Sequence, residues 1–309
     1  MRCCAGHRCG ILDSMCLVLI GWRAHPEYRL IVAANRDEFY SRTTESMRWW
    51  PEVPGLLAGR DQGAKNKAAD DPPGTWLGLT REGKGRNRFA TVTNVRDPKG
   101  ERGDARSRGA LLMDFLRGVS ERHPSGDFPG PEKYVLDVAA APDDYNGYNL
   151  VVSDLESLWW HSNRSAAPPR ELLPGFHGLS NGTFVSSAGL SPGSPDLTAP
   201  QPIWPKVRCG VTELRSVVES DPGAVDRYFA VLADRAKAAD EELPNTGVPH
   251  LLERRLSSRF IADGVHGTRA STVLLVREDG SFVMAERSFG RFGRRRGAVS
   301  FDGTLDLPA

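Results

Sequence analysis

Cys16-Leu17-Val18-Leu19-Ile20-Gly21 and Arg29-Leu30-Ile31-Val32-Ala33-Ala34 are two apolar runs separated by a link that carries His25-Pro26-Glu27. Such runs flanking a short polar turn read as a β-hairpin. The pattern returns at 76–80 with 89–94, 148–153 with 157–161, and 271–277 with 281–286; Glu82-Gly83 and Glu278-Asp279-Gly280 supply turn chemistry. Links this short cannot host a parallel crossover, which needs roughly a dozen residues or more, so the sheets are expected to be mostly antiparallel. Helix-period stretches fall at 108–119 and 132–140, and again at 206–220 and 224–242. Asp221-Pro222 reads as a cap followed by proline in the first turn of the last of these. Hairpins alternating with helix pairs bury every apolar face most simply as two packed antiparallel sheets with helices outside. The expected fold is therefore a layered α+β sandwich. Stretches rich in Pro, Gly and Ser at 168–175 and 186–202, and a polar stretch at 62–73, read as surface loops.

The chain of 309 residues carries 40 Lys plus Arg against 39 Asp plus Glu, a net charge of +1. No global field draws it to nucleic acid or to anionic lipid, so neither is expected as a partner. The apolar run 16–21 is too short to span a bilayer and is followed by Trp22 and Arg23 rather than a cleavage site. Five cysteines show no disulfide framework, and a reducing cytoplasm fits them best. Residues 1–14 lack apolar periodicity and stop just before a second methionine, Met15. They read as a leader that is disordered or absent from the mature protein, leaving one domain over 15–309. Cys3, Cys4, His7 and Cys9 offer zinc-binding atoms, but nothing downstream supplies a second ligand pair, so no metal is expected. No Gly-x-Gly-x-x-Gly or phosphate-loop signature calls for a nucleotide cofactor. His161, His177, His250 and His266 are scattered without metal spacing, and no Gly-x-Ser-x-Gly elbow occurs. Trp49, Trp50, Trp76, Trp159, Trp160 and Trp204 suit a core, and some of them an apolar ligand pocket. The sequence carries no signal for oligomeric state.

Cys16 follows Met15 at the start of a strand. Removal of the preceding residues would place a thiol and a free α-amine on one residue. With an amine near 7.7 to 8.0 and a thiol near about 8.5, the amine can accept the thiol proton without a histidine. The plainer role for this residue is a small buried core cysteine.

The stretch Ala34-Asn35-Arg36-Asp37-Glu38-Phe39-Tyr40 reproduces the motif of the NRDE family, the transport and Golgi organisation protein 2 family. Similar stretches follow in the family's order: Gly74-Thr75-Trp76-Leu77-Gly78, Thr93-Asn94-Val95-Arg96, Ser107-Arg108-Gly109, Tyr145-Asn146-Gly147-Tyr148-Asn149-Leu150, Gly178-Leu179-Ser180-Asn181, Trp204-Pro205-Lys206 and 267–273. The family typically begins Met-Cys, matching Met15-Cys16, and resembles the cysteine acylases that open conjugated bile acids and penicillins. The resemblance implies a four-layer αββα sandwich of N-terminal-nucleophile type, with Cys16 as nucleophile.

It further implies Arg36 and Asp37 beside the thiol, though related acylases carry the aspartate three residues after the arginine and here the two are adjacent. Neighbours on a strand point to opposite faces, so both can face Cys16 only if a turn begins there. A solvated hairpin turn is the plainer role for this charged stretch. Asn94 corresponds to an oxyanion amide donor, Asn149 and Asn181 are further amide candidates, and Arg269 resembles the second arginine of the acylase site. Turn-satisfying asparagines and a surface ion-pair partner are the plainer roles here.

Two functional expectations follow. One is an amidohydrolase acting on a non-peptide C–N bond of a small amide. The other is a non-catalytic carrier or chaperone for an apolar ligand such as haem or a lipid, in keeping with the family's link to Golgi organisation, lipid metabolism and haem handling.

Overall fold

The computed structural model describes residues 16–63, 73–81, 86–96, 101–118, 130–182, 184–186, 204–246 and 248–307. The leader with Cys3, Cys4, His7 and Cys9, the turn at Glu82-Gly83, and most of the stretches 62–73 and 186–202 lie outside these residues.

The first hairpin forms as expected, with β1 (Cys16–His25) and β2 (Tyr28–Phe39) paired antiparallel from Cys16↔Arg36 to His25↔Tyr28. The chain then builds β3 (Thr44–Trp49), β4 (Leu56–Asp61), β5 (Leu77–Thr80) and β6 (Arg88–Asn94), followed by α1 (Arg108–Arg117) and α2 (Pro131–Ala139). Next come β7 (Tyr148–Ser153), β8 (Leu158–Ser162), β9 (Arg170–Glu171), β10 (Gly175–Leu179) and β11 (Phe184–Ser186). Three helices follow, α3 (Pro205–Ser220), α4 (Val225–Leu232) and α5 (His250–Leu256), then β12 (His266–Arg277), β13 (Ser281–Gly290) and β14 (Arg294–Thr304). Among the described residues, one seven-stranded sheet has the order β11-β10-β1-β2-β12-β13-β14 and the other runs β3 to β9 in sequence order. Neighbouring strands are antiparallel throughout both.

Side-chain alternation along β1 sets the layers. Val18, Ile20 and Trp22 pack between the sheets with Leu57, Trp76 and Val151. Leu17 and Leu19 point the other way and pack with Val207, Val211, Phe229 and Leu232 of α3 and α4. A third apolar layer joins Leu111, Phe115 and Tyr134 of α1 and α2 to Ala58, Ala90 and Val152 on the outer face of the second sheet. Three apolar layers between four sets of elements make the αββα sandwich. Because both faces of each sheet are covered, the central strands read as continuous apolar runs rather than as strict alternation.

Helix and sheet approach most closely at Gly178 on β10. A Cβ there would meet Val211 Cγ2 at 2.6 Å and Val207 Cγ1 at 2.8 Å, so only glycine lets α3 sit this low on the sheet. At the β12–β13 turn, Gly280 has φ +82°, and a Cβ would lie 2.4 Å from Leu305 O.

Two expectations need correction, and one strand goes unmarked by the sequence pattern. The stretch 224–242 does not continue as one helix: α4 ends at Leu232, after which Asp234 accepts a hydrogen bond from Phe260 N and caps Ala236 N with its side chain. Those tertiary bonds take the chain out of the helix. Asp221 does not open α4 either; it closes α3, its N–H donating to Val217 O, and Pro222 lies in the link before the cap at Ala224. Finally β14, with Arg294, Arg295 and Arg296, is an edge strand that apolar periodicity does not mark, its charges guarding an open sheet edge. No described helix is long and apolar enough to cross a membrane.

Candidate functional site

Cys16 is buried at the start of β1, between β2 and β10. The β1–β10 register begins at Val18↔Leu179, short of Cys16, and side chains carry the pairing onward. Ser180 Oγ donates to Cys16 O at 2.7 Å, and the Cys16 N–H donates to Asn181 Oδ1 at 2.9 Å. Asn181 Nδ2 in turn donates to Asn94 O at 3.0 Å, tying the start of β1 to the end of β6 in the other sheet. Ser180 O is held by Asn149 Nδ2 at 2.9 Å and by Thr93 Oγ1 at 3.3 Å. The Asn149 amide, which also donates to Thr93 Oγ1 at 3.2 Å, is therefore engaged in supporting this corner.

Arg36 is the register partner of Cys16, and directly opposed residues share a face with Cβ atoms about 5 Å apart. β2 stays extended through Phe39, so no turn begins at 36–37. Arg36 consequently shares the inter-sheet face with Cys16, while Asp37 points toward the helices. The Arg36 Nη2 donates to Asp61 Oδ2 at 2.8 Å and to Glu38 Oε2 at 3.3 Å. Its Nη1 is buried and has no hydrogen-bond partner among the described residues.

On the far face, Asp37 Oδ1 accepts from Thr268 Oγ1 at 2.6 Å. Burial pushes the Asp37 carboxyl well above the usual carboxylate range, and the charge of Lys206 opposes that rise. Lys206 sits in the first turn of α3, is 4% exposed, and donates to Leu256 O at 3.2 Å beside the Trp204 ring. Burial drives its ammonium below the usual lysine range, against the attraction of Asp37; its charge also interacts with Cys16. Asp37 and Lys206 thus interact on the helix side of the sheet, and the Lys206 charge reaches Cys16 as well.

Arg269 occupies the β12 irregularity between Thr268 and Ala270. Its Nη1 donates to Phe39 O at 2.8 Å and Arg42 O at 3.0 Å, and its Nη2 to Thr44 Oγ1 at 2.9 Å. It holds the link from β2 to β3 and joins Arg36 in lining a cleft of about 290 Å³ between the two sheets. Glu286 lines the same cleft; burial pushes its carboxyl up to about 7, and its Oε1 accepts from Met47 N at 2.9 Å.

The structure therefore sets Arg36 beside Cys16, ties Cys16 through Asn181 to the Asn94 carbonyl, places Arg269 with Arg36 on the cleft, and turns Asp37 toward the helices. Lys206, Ser180 and Glu286 were not singled out from the sequence as site residues. Ser180 and Lys206 lie inside quoted motif stretches, and Glu286 follows Phe282 and Met284 at period two on an inward face, which is a legible signal for a buried acid.

The profile of the family described as Transport and Golgi organisation 2 matches residues 15–291, a span that includes every residue of this site. The chain belongs to the Transport and Golgi organisation 2 family. Within it, the chain is 31% identical over 293 residues to the Transport and Golgi organization protein 2 homolog of Bos taurus, covering 89% of this chain and 93% of the relative. The Homo sapiens protein of the same name is 30% identical over 291 residues, and the Transport and Golgi organization 2 homolog of Mus musculus is 28% identical over 291 residues. Each alignment covers 89% of this chain and 93% of the relative, so the likeness extends over most of the chain rather than to one motif.

Proposed function

We propose that this chain is an amidohydrolase of the N-terminal-nucleophile type, acting on a non-peptide C–N bond with Cys16 as nucleophile. The observation that carries the reading is the 2.9 Å hydrogen bond from the Cys16 nitrogen to Asn181 Oδ1. In a chain beginning at Cys16 that nitrogen is an amine. Asn181 would take one of its hydrogens and leave the lone pair to the thiol. Arg36, register partner of Cys16, and buried Lys206 supply positive charge that favours a thiolate.

In this mechanism the Cys16 thiol loses its proton to its own α-amine as sulfur bonds to the acyl carbon. The Asn94 side-chain amide stabilises the oxyanion of the tetrahedral adduct. The ammonium returns the proton to the leaving nitrogen, the C–N bond breaks, and a thioester remains. Water adds to the thioester while the amine takes its proton; the carboxylic acid leaves and the thiol is restored.

The decisive experiment is intact mass and N-terminal sequencing of protein isolated untagged from its own cell, followed by an amide-substrate screen of wild type and Cys16→Ala. A chain starting at Cys16 with turnover abolished in Cys16→Ala supports the reading. A chain that keeps the residues before Cys16 leaves an amide nitrogen, which cannot act as a base. That result, or unchanged turnover in Cys16→Ala, defeats the hydrolase reading and leaves the fold to a carrier of an apolar ligand such as haem or a lipid.

A further inference from the structure

Arg36, Arg60, Arg269 and Arg296 line the cleft between the sheets together with Glu45 and Glu286. Arg36 is ion-paired with Asp61 and Glu38, and Arg60 with Glu52, so the surplus positive charge rests on Arg269 and Arg296. Glu45 is ion-paired with Arg48, and burial holds Glu286 up at about 7, so only part of it is ionised near neutral pH. Arg269 uses its guanidinium on two carbonyls and a hydroxyl, none of them charged, and no ion pair of Arg269 or Arg296 is found among the described residues.

Orphaned donors point the same way. Arg36 is only 5% exposed, yet its Nη1 is buried without a hydrogen-bond partner among the described residues, where Arg60 Nε is a second buried donor without an acceptor. A buried cationic donor with no acceptor is costly and is normally matched by a ligand, an ion or water. Trp76 adds an apolar wall, and Gly59, Ala270 and Gly297 keep the cleft open by their small size.

We infer that this cleft binds a small molecule bearing a carboxylate, with the anion on Arg36 Nη1 and the carbon body along Trp76. Guanidinium presents planar donors that match a carboxylate, and charge-assisted hydrogen bonds of this kind are the strong ones. Arg36 is also the register partner of Cys16, so the strand that carries the anion's anchor lies directly beside the strand that carries the thiol. The substrate class that follows is an amide carrying a carboxylate on one of its halves, a step that rests on the amidohydrolase reading; the binding site itself does not.

The test is calorimetric titration of the full chain with hexanoate, hexanamide and inorganic phosphate. Hexanoate is expected to bind saturably at one site and hexanamide at least about tenfold more weakly, the difference of one charge-assisted hydrogen bond. Arg36→Gln should weaken hexanoate by about tenfold or more. Arg296→Glu, on the exposed edge strand where folding is not at risk, should weaken it about fivefold by reversing the charge at the mouth. No saturable hexanoate binding, equal binding of hexanamide, or binding of phosphate in place of hexanoate would each overturn the inference. The titration involves no chemistry, so hexanoate binding without amide turnover defeats the hydrolase reading alone, and turnover without hexanoate binding defeats this inference alone.

Discussion

Replacing Glu286 with glutamine tests the electrostatics of the cleft with little change in shape. Glu286 is 4% exposed, accepts the Met47 N–H at 2.9 Å, and faces Arg36 and Thr272. Burial lifts its carboxyl from 4.5 to about 7, because the charged form loses its water and gains too little from these neighbours. Folded Glu286 therefore keeps its proton up to about pH 7, whereas the unfolded chain loses it near 4.5. The stability associated with the neutral form is complete below 4.5 and is lost as pH rises through 7. At about 1.4 kcal/mol for each pKa unit, the loss amounts to roughly 3 kcal/mol. Glutamine keeps an oxygen for Met47 N–H and cannot ionise, so it escapes this loss. Urea unfolding of both proteins near pH 4.5 and at about pH 8.5 measures the effect. The variant should gain roughly 3 kcal/mol over wild type between the two conditions. A stability difference that does not change with pH would refute the assignment of a buried, proton-holding Glu286.

Three further outcomes follow from the same geometry. Asn181→Ala strips an acceptor from the Cys16 N–H and a donor from Asn94 O; a cost of about 1–3 kcal/mol is expected in chemical denaturation, and unchanged stability would show that these bonds do not hold the corner. Lys206→Met removes the charge that opposes the upward push of burial on Asp37, so the Asp37 carboxyl should titrate still higher by carbon-detected NMR; an unmoved Asp37 titration would break the proposed pairing. Gly178→Ala places a methyl inside contact distance of Val207 and Val211 and should cost about 1–3 kcal/mol by lifting α3, with a melting temperature equal to wild type counting against close packing at that point.

The αββα layering was legible because its cause is local. The runs 16–21 and 29–34, with a turn too short for a crossover, dictate antiparallel pairing, and the three other hairpins repeat the rule. The helices at 108–117, 131–139 and 205–220 showed in their apolar period for the same reason. Elements whose existence depends on distant partners were not legible: α4 stops where Phe260 bonds Asp234, and β14 exists because β13 offers it an open edge. In the site, sequence brought forward Cys16, Arg36 and Asn181, and strand alternation posed the choice between Arg36 and Asp37. Only the paired sheets decided it. Register is a long-range quantity, fixed by Cys16↔Arg36 and by the extended run of β2 to Phe39, and it put Arg36 on the face of the thiol and Asp37 over Lys206. The orphaned Arg36 Nη1 and the proton-holding Glu286 likewise arise from burial between two sheets, and burial is a property of the packed layers rather than of any stretch of chain.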